Sequence, residues 1–135
     1  MLLLPHATDR RMLNTLVVFL GAGLGGALRY GVNVSAARLG GSFPAATMII
    51  NVSGSLAMGI LAGWFVVRAG LPQSLRLFLT TGILGGFTTF STFSLEAFLL
   101  IERGALAQAV LYVIGSVAAG IAGVAVSFAI IRHFG

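Results

Sequence analysis

The sequence predicts an all-α membrane protein with four transmembrane helices, and three observations predict this fold class. Of the 135 residues, 58% are hydrophobic and only 8% are charged, whereas a soluble domain carries about 25% charged residues. Four apolar runs are each long enough to cross a bilayer core, which takes about 20 helical residues. Short connections separate the runs, so neighbouring helices are expected to run antiparallel in a single membrane domain, residues 1–135.

The four predicted spans cover residues 13–34, 44–67, 75–101 and 105–131. Glycine, proline and charged residues mark the turns between them, at Arg38–Ser42, Arg68–Gln73 and Glu102–Gly104. Residues 1–11 are predicted to form an N-terminal tail. Arg10 and Arg11 ahead of an apolar run also have the order of features of a signal peptide. The first run exceeds a usual signal core, however, and three more spans follow it.

The basic residues are all arginines, and they lie singly or in pairs at the ends of the apolar runs. Nucleic-acid-binding proteins cluster basic residues on one face, so the pattern predicts anchoring at a lipid bilayer and no nucleic-acid partner. Five arginines fall on the side of the two termini and three on the other. This mild bias under the positive-inside rule permits insertion either way up, and hence an antiparallel homodimer.

Small residues recur four positions apart within the runs. The pairs are Gly21/Gly25, Gly59/Gly63, Gly82/Gly86 and Ser116/Gly120. Such pairs let helix backbones approach closely in lipid. A single four-helix unit of this size has little interior for a polar pathway, so close-packed dimerisation is expected to supply one.

Within the stretch Thr80–Ser94, in the middle of the third run, Gly85 and Gly86 are followed by five residues with hydroxyl side chains. Gly85 and Gly86 each weaken a helix by about 1 kcal/mol relative to Ala, and the hydroxyls compete for backbone groups. A broken helix would free carbonyls and amides at bilayer depth, where they are tolerated only inside protein or beside a wet cavity. An unbroken helix, with its hydroxyls bonded to its own carbonyls, fits these residues equally well.

Neutral side chains dominate the polar inventory of the spans, which includes Thr47, Asn51, Tyr112 and Ser116. Hydroxyl and amide donors suit an anion that accepts strong hydrogen bonds. The electropositive ring edges of Phe90 and Phe93, which share one helix face, would assist such donors. Lipid contact or core packing is the alternative interpretation of both rings.

Glu96 is the only acidic residue within a predicted span. Proton-coupled carriers normally need an ionisable relay in the membrane, and this chain has one marginal candidate. Three alternatives stay open for its carboxylate: it reaches the interface, it pairs with Arg103, or it hydrogen-bonds Tyr112.

Residues 85–94, Gly-Gly-Phe-Thr-Thr-Phe-Ser-Thr-Phe-Ser, strongly resemble the signature of the Fluc (CrcB) family of fluoride channels. The similarity also includes Gly25–Tyr30, Thr47, Asn51–Gly54, Tyr112 and Ser116, and it covers the chain beyond the tail. Two positions depart from the family pattern: Phe87, where members often carry Leu, and Gly120, where a small polar residue often lies.

The resemblance implies a dual-topology, antiparallel homodimer with two fluoride pores and a third helix that is broken mid-membrane. It also implies a structural Na⁺ at the dimer centre, not transported, held by the backbone carbonyls of Gly85 and Thr88 from both subunits. The residues implied to line the fluoride pore are Asn51, Phe90, Phe93, Tyr112, Ser116 and Thr47, with Arg29 at a vestibule.

The function implied is passive export of fluoride across a prokaryotic cell (inner) membrane, with no enzymatic activity. A proton-coupled small multidrug transporter is a second class of similar size and architecture, but it needs a membrane-embedded acid, typically in the first helix, and the first run has none. A non-transporting assembly subunit is a third class, and it would tolerate the replacement of Phe90 and Phe93.

Overall fold

The computed structural model describes residues 7–135, which fold into helices connected by short turns. The elements are α1 (Ala7–Ala37), α2 (Ala45–Val67), α3 (Gln73–Leu77), a π-helical segment (Phe78–Leu84), α4 (Gly85–Phe87), α5 (Phe90–Glu102) and α6 (Leu106–Phe134). Four stretches are long and apolar enough to cross a membrane, and their bounds are Asp9–Ala37, Ala45–Val67, Gln73–Glu102 and Leu106–Phe134. The predicted fold class, all-α with four spans, is confirmed.

The first helix begins earlier than the sequence pattern indicated. Helix α1 starts at Ala7, so residues 7–11 of the predicted tail are helical, while residues 1–6 lie outside the described part of the chain. Asp9 lies in the first turn, where a negative charge interacts favourably with the helix dipole. Polar residues therefore extend the helix beyond the apolar run from which the span was predicted.

Glycines let α1 lie directly against the first half of the third span. A Cβ atom on Gly21 would lie 2.7 Å from the carbonyl oxygen of Phe78 and 2.9 Å from the Cα atom of Gly82. A Cβ atom on Gly25 would overlap the carbonyl oxygen of Ile83. The close backbone approach predicted from the glycine pairs is confirmed here, within one chain.

Helices α2 and α6 form the second closely packed pair. A Cβ atom on Gly59 would overlap the hydroxyl of Ser127, and one on Gly63 would lie 2.9 Å from the Cβ atom of Ile131. The buried Ser127 hydroxyl lies 2.9 Å from the carbonyl oxygen of Leu56, so it links the two helices. Helix α5 packs beside this pair, against α6.

The third span is broken at Thr88 and Thr89. Thr88 has ψ 158° and Thr89 has φ −150° and ψ 115°, which are extended conformations. Thr89 then caps α5, because its hydroxyl accepts a hydrogen bond from the backbone N–H of Thr92 at 3.3 Å. The weak helix propensity of Gly85 and Gly86 just before the break reduces the cost of the interruption. Of the two alternatives that the residues left open, the unbroken helix is wrong.

Candidate functional site

A groove of about 360 Å³ opens beside the break in the third span. Its walls come from α2, the residues around the break, α5 and α6: Asn51, Gly54, Ser55, Met58, Leu84, Gly85, Thr88, Thr89, Phe90, Phe93, Ser116, Val117 and Val124. The predicted site residues that it brings together are Asn51, Gly85, Thr88, Phe90, Phe93 and Ser116. Most of the predicted site thus lies around one cavity in the middle of the membrane spans.

The side chain of Asn51 holds the break against α2. Its Oδ1 accepts a hydrogen bond from the backbone N–H of Thr89 at 2.8 Å, and its Nδ2 donates to the carbonyl of Thr89 at 3.1 Å. The orientation of the carboxamide follows from its partners, because an N–H only donates and a carbonyl only accepts. An amide nitrogen carries two hydrogens, so one N–H of Asn51 remains for a further partner.

Two backbone carbonyls lose their helical donors at the break. In a continuous α-helix, the N–H of Thr89 would donate to the carbonyl of Gly85, and that of Thr92 to Thr88. The N–H of Thr89 instead donates to Asn51, and that of Thr92 to the hydroxyl of Thr89. The carbonyls of Gly85 and Thr88, two residues of the groove wall, are therefore released from helical bonding. Unwound carbonyls of this kind coordinate Na⁺ in membrane proteins.

Aromatic rings form a row from the rim of the groove into the core. Phe90 leaves 80% of its surface exposed, and its ring centroid lies 5.9 Å from that of the half-buried Phe93. Phe93 lies 5.0 Å from the ring of Tyr112, and Phe43 meets Tyr112 edge-on at 5.8 Å. The row joins the groove to a fully buried phenol on α6. Phe43, outside the predicted spans, was not predicted to contribute to this row.

Tyr112 and Thr47 are fully buried and do not line the groove. The phenol O–H donates to Oε2 of Glu96 at 2.8 Å, and the hydroxyl of Thr47 neighbours the phenol oxygen. Of the alternatives for Glu96, the hydrogen bond to Tyr112 is confirmed. Arg103 was the other candidate partner of Glu96, and its guanidinium donates to the carbonyl of Leu99 at 3.1 Å.

Ser116 lies one helical turn beyond Tyr112 on α6, at the groove wall. Its hydroxyl oxygen is buried, and no group in residues 9–135 hydrogen-bonds it. Buried polar groups are hydrogen-bonded in the great majority of cases, and an unpaired one needs an explanation such as a bound water or ion. Ser116 is therefore the position of the groove that most clearly accommodates a further hydrogen-bonding partner.

The groove also contains residues that were not among the predicted site residues, and it lacks the predicted vestibule residue. Gly54, Ser55 and Met58 follow Asn51 at helical spacing along one face of α2, and this periodicity is the signal that could have identified them. Arg29 lies on α1, apart from the groove walls, so one chain alone does not bring it to the groove.

Comparison with known proteins places the chain in a family. A family model described as CrcB-like protein, Camphor Resistance (CrcB), matches residues 16–128. A fluoride-specific ion channel FluC from Methylobacterium nodulans is 81% identical over 124 residues, which cover 92% of this chain and 100% of that protein. Proteins of the same name from Rhodopseudomonas palustris and Beijerinckia indica are 58% and 55% identical, over 87% and 90% of this chain and 95% and 98% of their own lengths.

These matches confirm the resemblance drawn from the motif in the third span. They also exclude the multidrug transporter and assembly-subunit classes, because the relatives are named as ion channels over nearly the whole chain. The chain belongs to the CrcB family of fluoride-specific ion channels, a family of membrane channels and not of enzymes.

Proposed function

We propose that this chain forms a passive, fluoride-specific channel that exports cytoplasmic fluoride across the cell (inner) membrane. The observation that carries the proposal is the groove at the helix break, where an amide, an unpaired hydroxyl and two aromatic rings meet at mid-span. Membership of a family whose members are named fluoride-specific ion channels supports fluoride as the permeant ion.

The groove offers the chemistry that a small anion needs when it leaves water. A selective pore must replace the hydration shell of the ion, and it must bind the ion weakly enough at several sites for it to leave. The remaining N–H of Asn51 and the hydroxyl of Ser116 are neutral donors, and the ring edges of Phe90 and Phe93 are electropositive. Several weak neutral sites suit conduction better than one buried cation would.

A second copy of the chain, inserted in the opposite orientation, completes the pathway in this proposal. Phe90 is 80% exposed, and the hydroxyls of Ser91 and Ser94 also lie on the surface of one chain. The backbone at the break is non-helical, and such backbone is tolerated at bilayer depth only inside protein or beside a water-filled cavity, so a partner subunit is expected to cover this surface. The mild arginine bias permits both orientations, and in the dimer Arg29 is expected at a vestibule.

The residues at the break fit the structural sodium ion that the family resemblance implies. The carbonyls of Gly85 and Thr88 are released from helical bonding, and hard carbonyl oxygens suit Na⁺. Within residues 7–135, no cluster of three His, Asp or Glu side chains offers a competing metal site. Both subunits would contribute these carbonyls. The ion would supply a fixed positive charge between the subunits and is not itself transported.

Fluoride efflux from liposomes that contain the purified protein tests this function. Fluoride is loaded inside, and a potassium ionophore balances the charge that leaves with the anion. We expect rapid efflux of fluoride, little efflux of chloride under the same conditions, and no dependence of the flux on an imposed proton gradient. Equal passage of both halides, no passage of fluoride, or efflux that requires the proton gradient would contradict the proposal. Protein-free liposomes provide the baseline.

A further inference from the structure

The carboxamide of Asn51 binds both backbone polar groups of Thr89, at 2.8 Å and 3.1 Å. The contact joins residues that are 38 positions apart in the chain, so it fixes the break to α2 rather than capping a helix locally. In an unbroken helix the same N–H of Thr89 would occupy the carbonyl of Gly85. Asn51 therefore competes directly with that carbonyl for one hydrogen.

We propose that Asn51 is the positioning residue of the sodium site, because it holds the Thr89 N–H away from the carbonyl of Gly85. The inference rests on the sodium ion of the proposed function. Thr89 acts in the same way on the second carbonyl, since its hydroxyl accepts from the N–H of Thr92 at 3.3 Å and leaves Thr88 without its helical donor. Asn51 acts on the cation through the backbone of the break.

This arrangement links the two ions of the channel through one side chain. Unpaired carbonyls at bilayer depth are costly, and a bound cation compensates the two that the break releases. The remaining N–H of Asn51 is the donor expected to face fluoride. The side chain that meets the permeant anion thus also maintains the backbone geometry that binds the structural cation.

Two substitutions separate these roles. Asn51→Leu removes both hydrogen bonds at similar volume, whereas Asn51→Asp retains an oxygen that accepts from the N–H of Thr89. Ser35→Ala is the control, because the hydroxyl of Ser35 bonds the carbonyl of Gly31 in its own helix at 2.9 Å. The measurement is the rise in Tm of the purified full-length protein in detergent as Na⁺ replaces N-methyl-D-glucamine at constant ionic strength.

We expect the Tm of the wild-type, Ser35→Ala and Asn51→Asp proteins to rise over the same range of sodium concentration. Asn51→Leu is expected to need at least about tenfold more sodium for half of the rise, because Na⁺ stabilises the folded state according to its affinity. Fluoride flux is expected to fall in both Asn51 variants, since each lacks the amide donor. The sodium response, and not the flux, therefore distinguishes positioning from fluoride contact.

Three results would overturn the proposal. The Tm of Asn51→Leu could depend on sodium as that of the wild type does, or the Tm of Asn51→Asp could lose its dependence on sodium. The Tm of the wild-type protein could also stay constant as sodium is added. If Asn51→Leu does not fold, Asn51→Ala, which also removes both hydrogen bonds to Thr89, replaces it in the comparison with Asn51→Asp. A wild-type protein that responds to sodium but passes no fluoride would contradict the proposed function and leave the role of Asn51 in cation binding intact.

Discussion

Before the break, the third span packs backbone against backbone with α1, and only its last residues reach the groove, whereas the half after the break borders that groove. Before the break, Gly21 and Gly25 bring α1 against Phe78, Gly82 and Ile83 without room for a side chain. After the break, Phe90 is largely exposed and the groove beside it holds an unpaired hydroxyl. The first half thus fixes the position of the break, and the second half borders the groove that we propose as the path of the ion.

The contrast predicts that substitutions in the two halves fail in different ways. Where the packed half meets α1, replacing a glycine should prevent folding, because the new side chain would meet backbone atoms that cannot move aside. In the open half, substitutions should change ion flux while the protein stays folded, because their side chains border a cavity. The predictions below run from the largest expected effect to the smallest.

Replacing Gly25 by Val tests the packed half. The new side chain would overlap the carbonyl oxygen of Ile83, and a backbone atom cannot rotate away. We expect a loss of at least about 3 kcal/mol in the free energy of unfolding, the upper end of the usual cost of overpacking. Size-exclusion chromatography of the purified variant should show little folded protein. The matched control is Gly23→Val, on the same helix, where a Cβ atom meets nothing within 4 Å.

Replacing Phe90 and Phe93 together by Ile tests the open half. The substitution keeps apolar bulk but removes the electropositive ring edges. Contacts between pairs of aromatic rings are worth about 0.5–1.5 kcal/mol, and we take the same range for each ring edge that faces the ion. The two losses add to about 1–3 kcal/mol, so we expect fluoride efflux to fall by about 5- to 150-fold, since each 1.4 kcal/mol corresponds to a factor of about ten in rate. The elution volume of the purified protein should stay the same as that of the wild type. If the variant passes fluoride as fast as the wild type, neither ring contributes to the fluoride pathway.

Ser116→Ala tests whether the unpaired hydroxyl serves the ion or the fold. Its removal deletes one donor, which is worth about 0.5–1.5 kcal/mol, so fluoride efflux should fall by about 2- to 10-fold. The Tm should stay the same or rise slightly, because the substitution also removes a buried hydroxyl without a partner. A large drop in Tm with unchanged efflux would show that the hydroxyl stabilises the fold instead.

Thr88→Ser is expected to have the smallest effect. The backbone carbonyl of residue 88 stays in place, and a serine hydroxyl can still donate to the carbonyl of Leu84, as that of Thr88 does at 2.9 Å. Only the methyl group that lies over Gly54 is lost. Fluoride efflux and the sodium dependence of the Tm should both stay within about twofold of wild type, a change of less than about 0.5 kcal/mol. A tenfold loss of either would place the side chain, rather than the carbonyl, in the site.

The sequence predicts the spans well because hydrophobic length and short turns determine them. Periodicity does not reveal the π-helical segment Phe78–Leu84, because the close contact between its backbone and the glycines of α1 is a tertiary feature. Helix α1 starts at Ala7, before the apolar run begins, so the hydrophobic pattern could not predict this helix start.

The residue types of the candidate site could be predicted from the sequence, but the hydrogen bonds between them could not. The amide, hydroxyl and aromatic side chains in the spans indicated an anion as the ligand. The resemblance to the family motif indicated which of these residues belong to the site. The two bonds from Asn51 to Thr89 depend on how α2 lies beside the break, and residue-level reasoning left a continuous helix equally acceptable. Glu96 likewise had three acceptable partners until the packing of α5 on α6 brought it to Tyr112.

The most direct test of the central claim is a high-resolution experimental density map of the purified protein in sodium fluoride. The account predicts an antiparallel dimer in which a partner closes the groove, with fluoride density within hydrogen-bonding distance of Asn51 Nδ2 or Ser116 Oγ and beside Phe90 and Phe93. A map in which this groove faces lipid, or in which fluoride density follows a route that avoids these four residues, would contradict it.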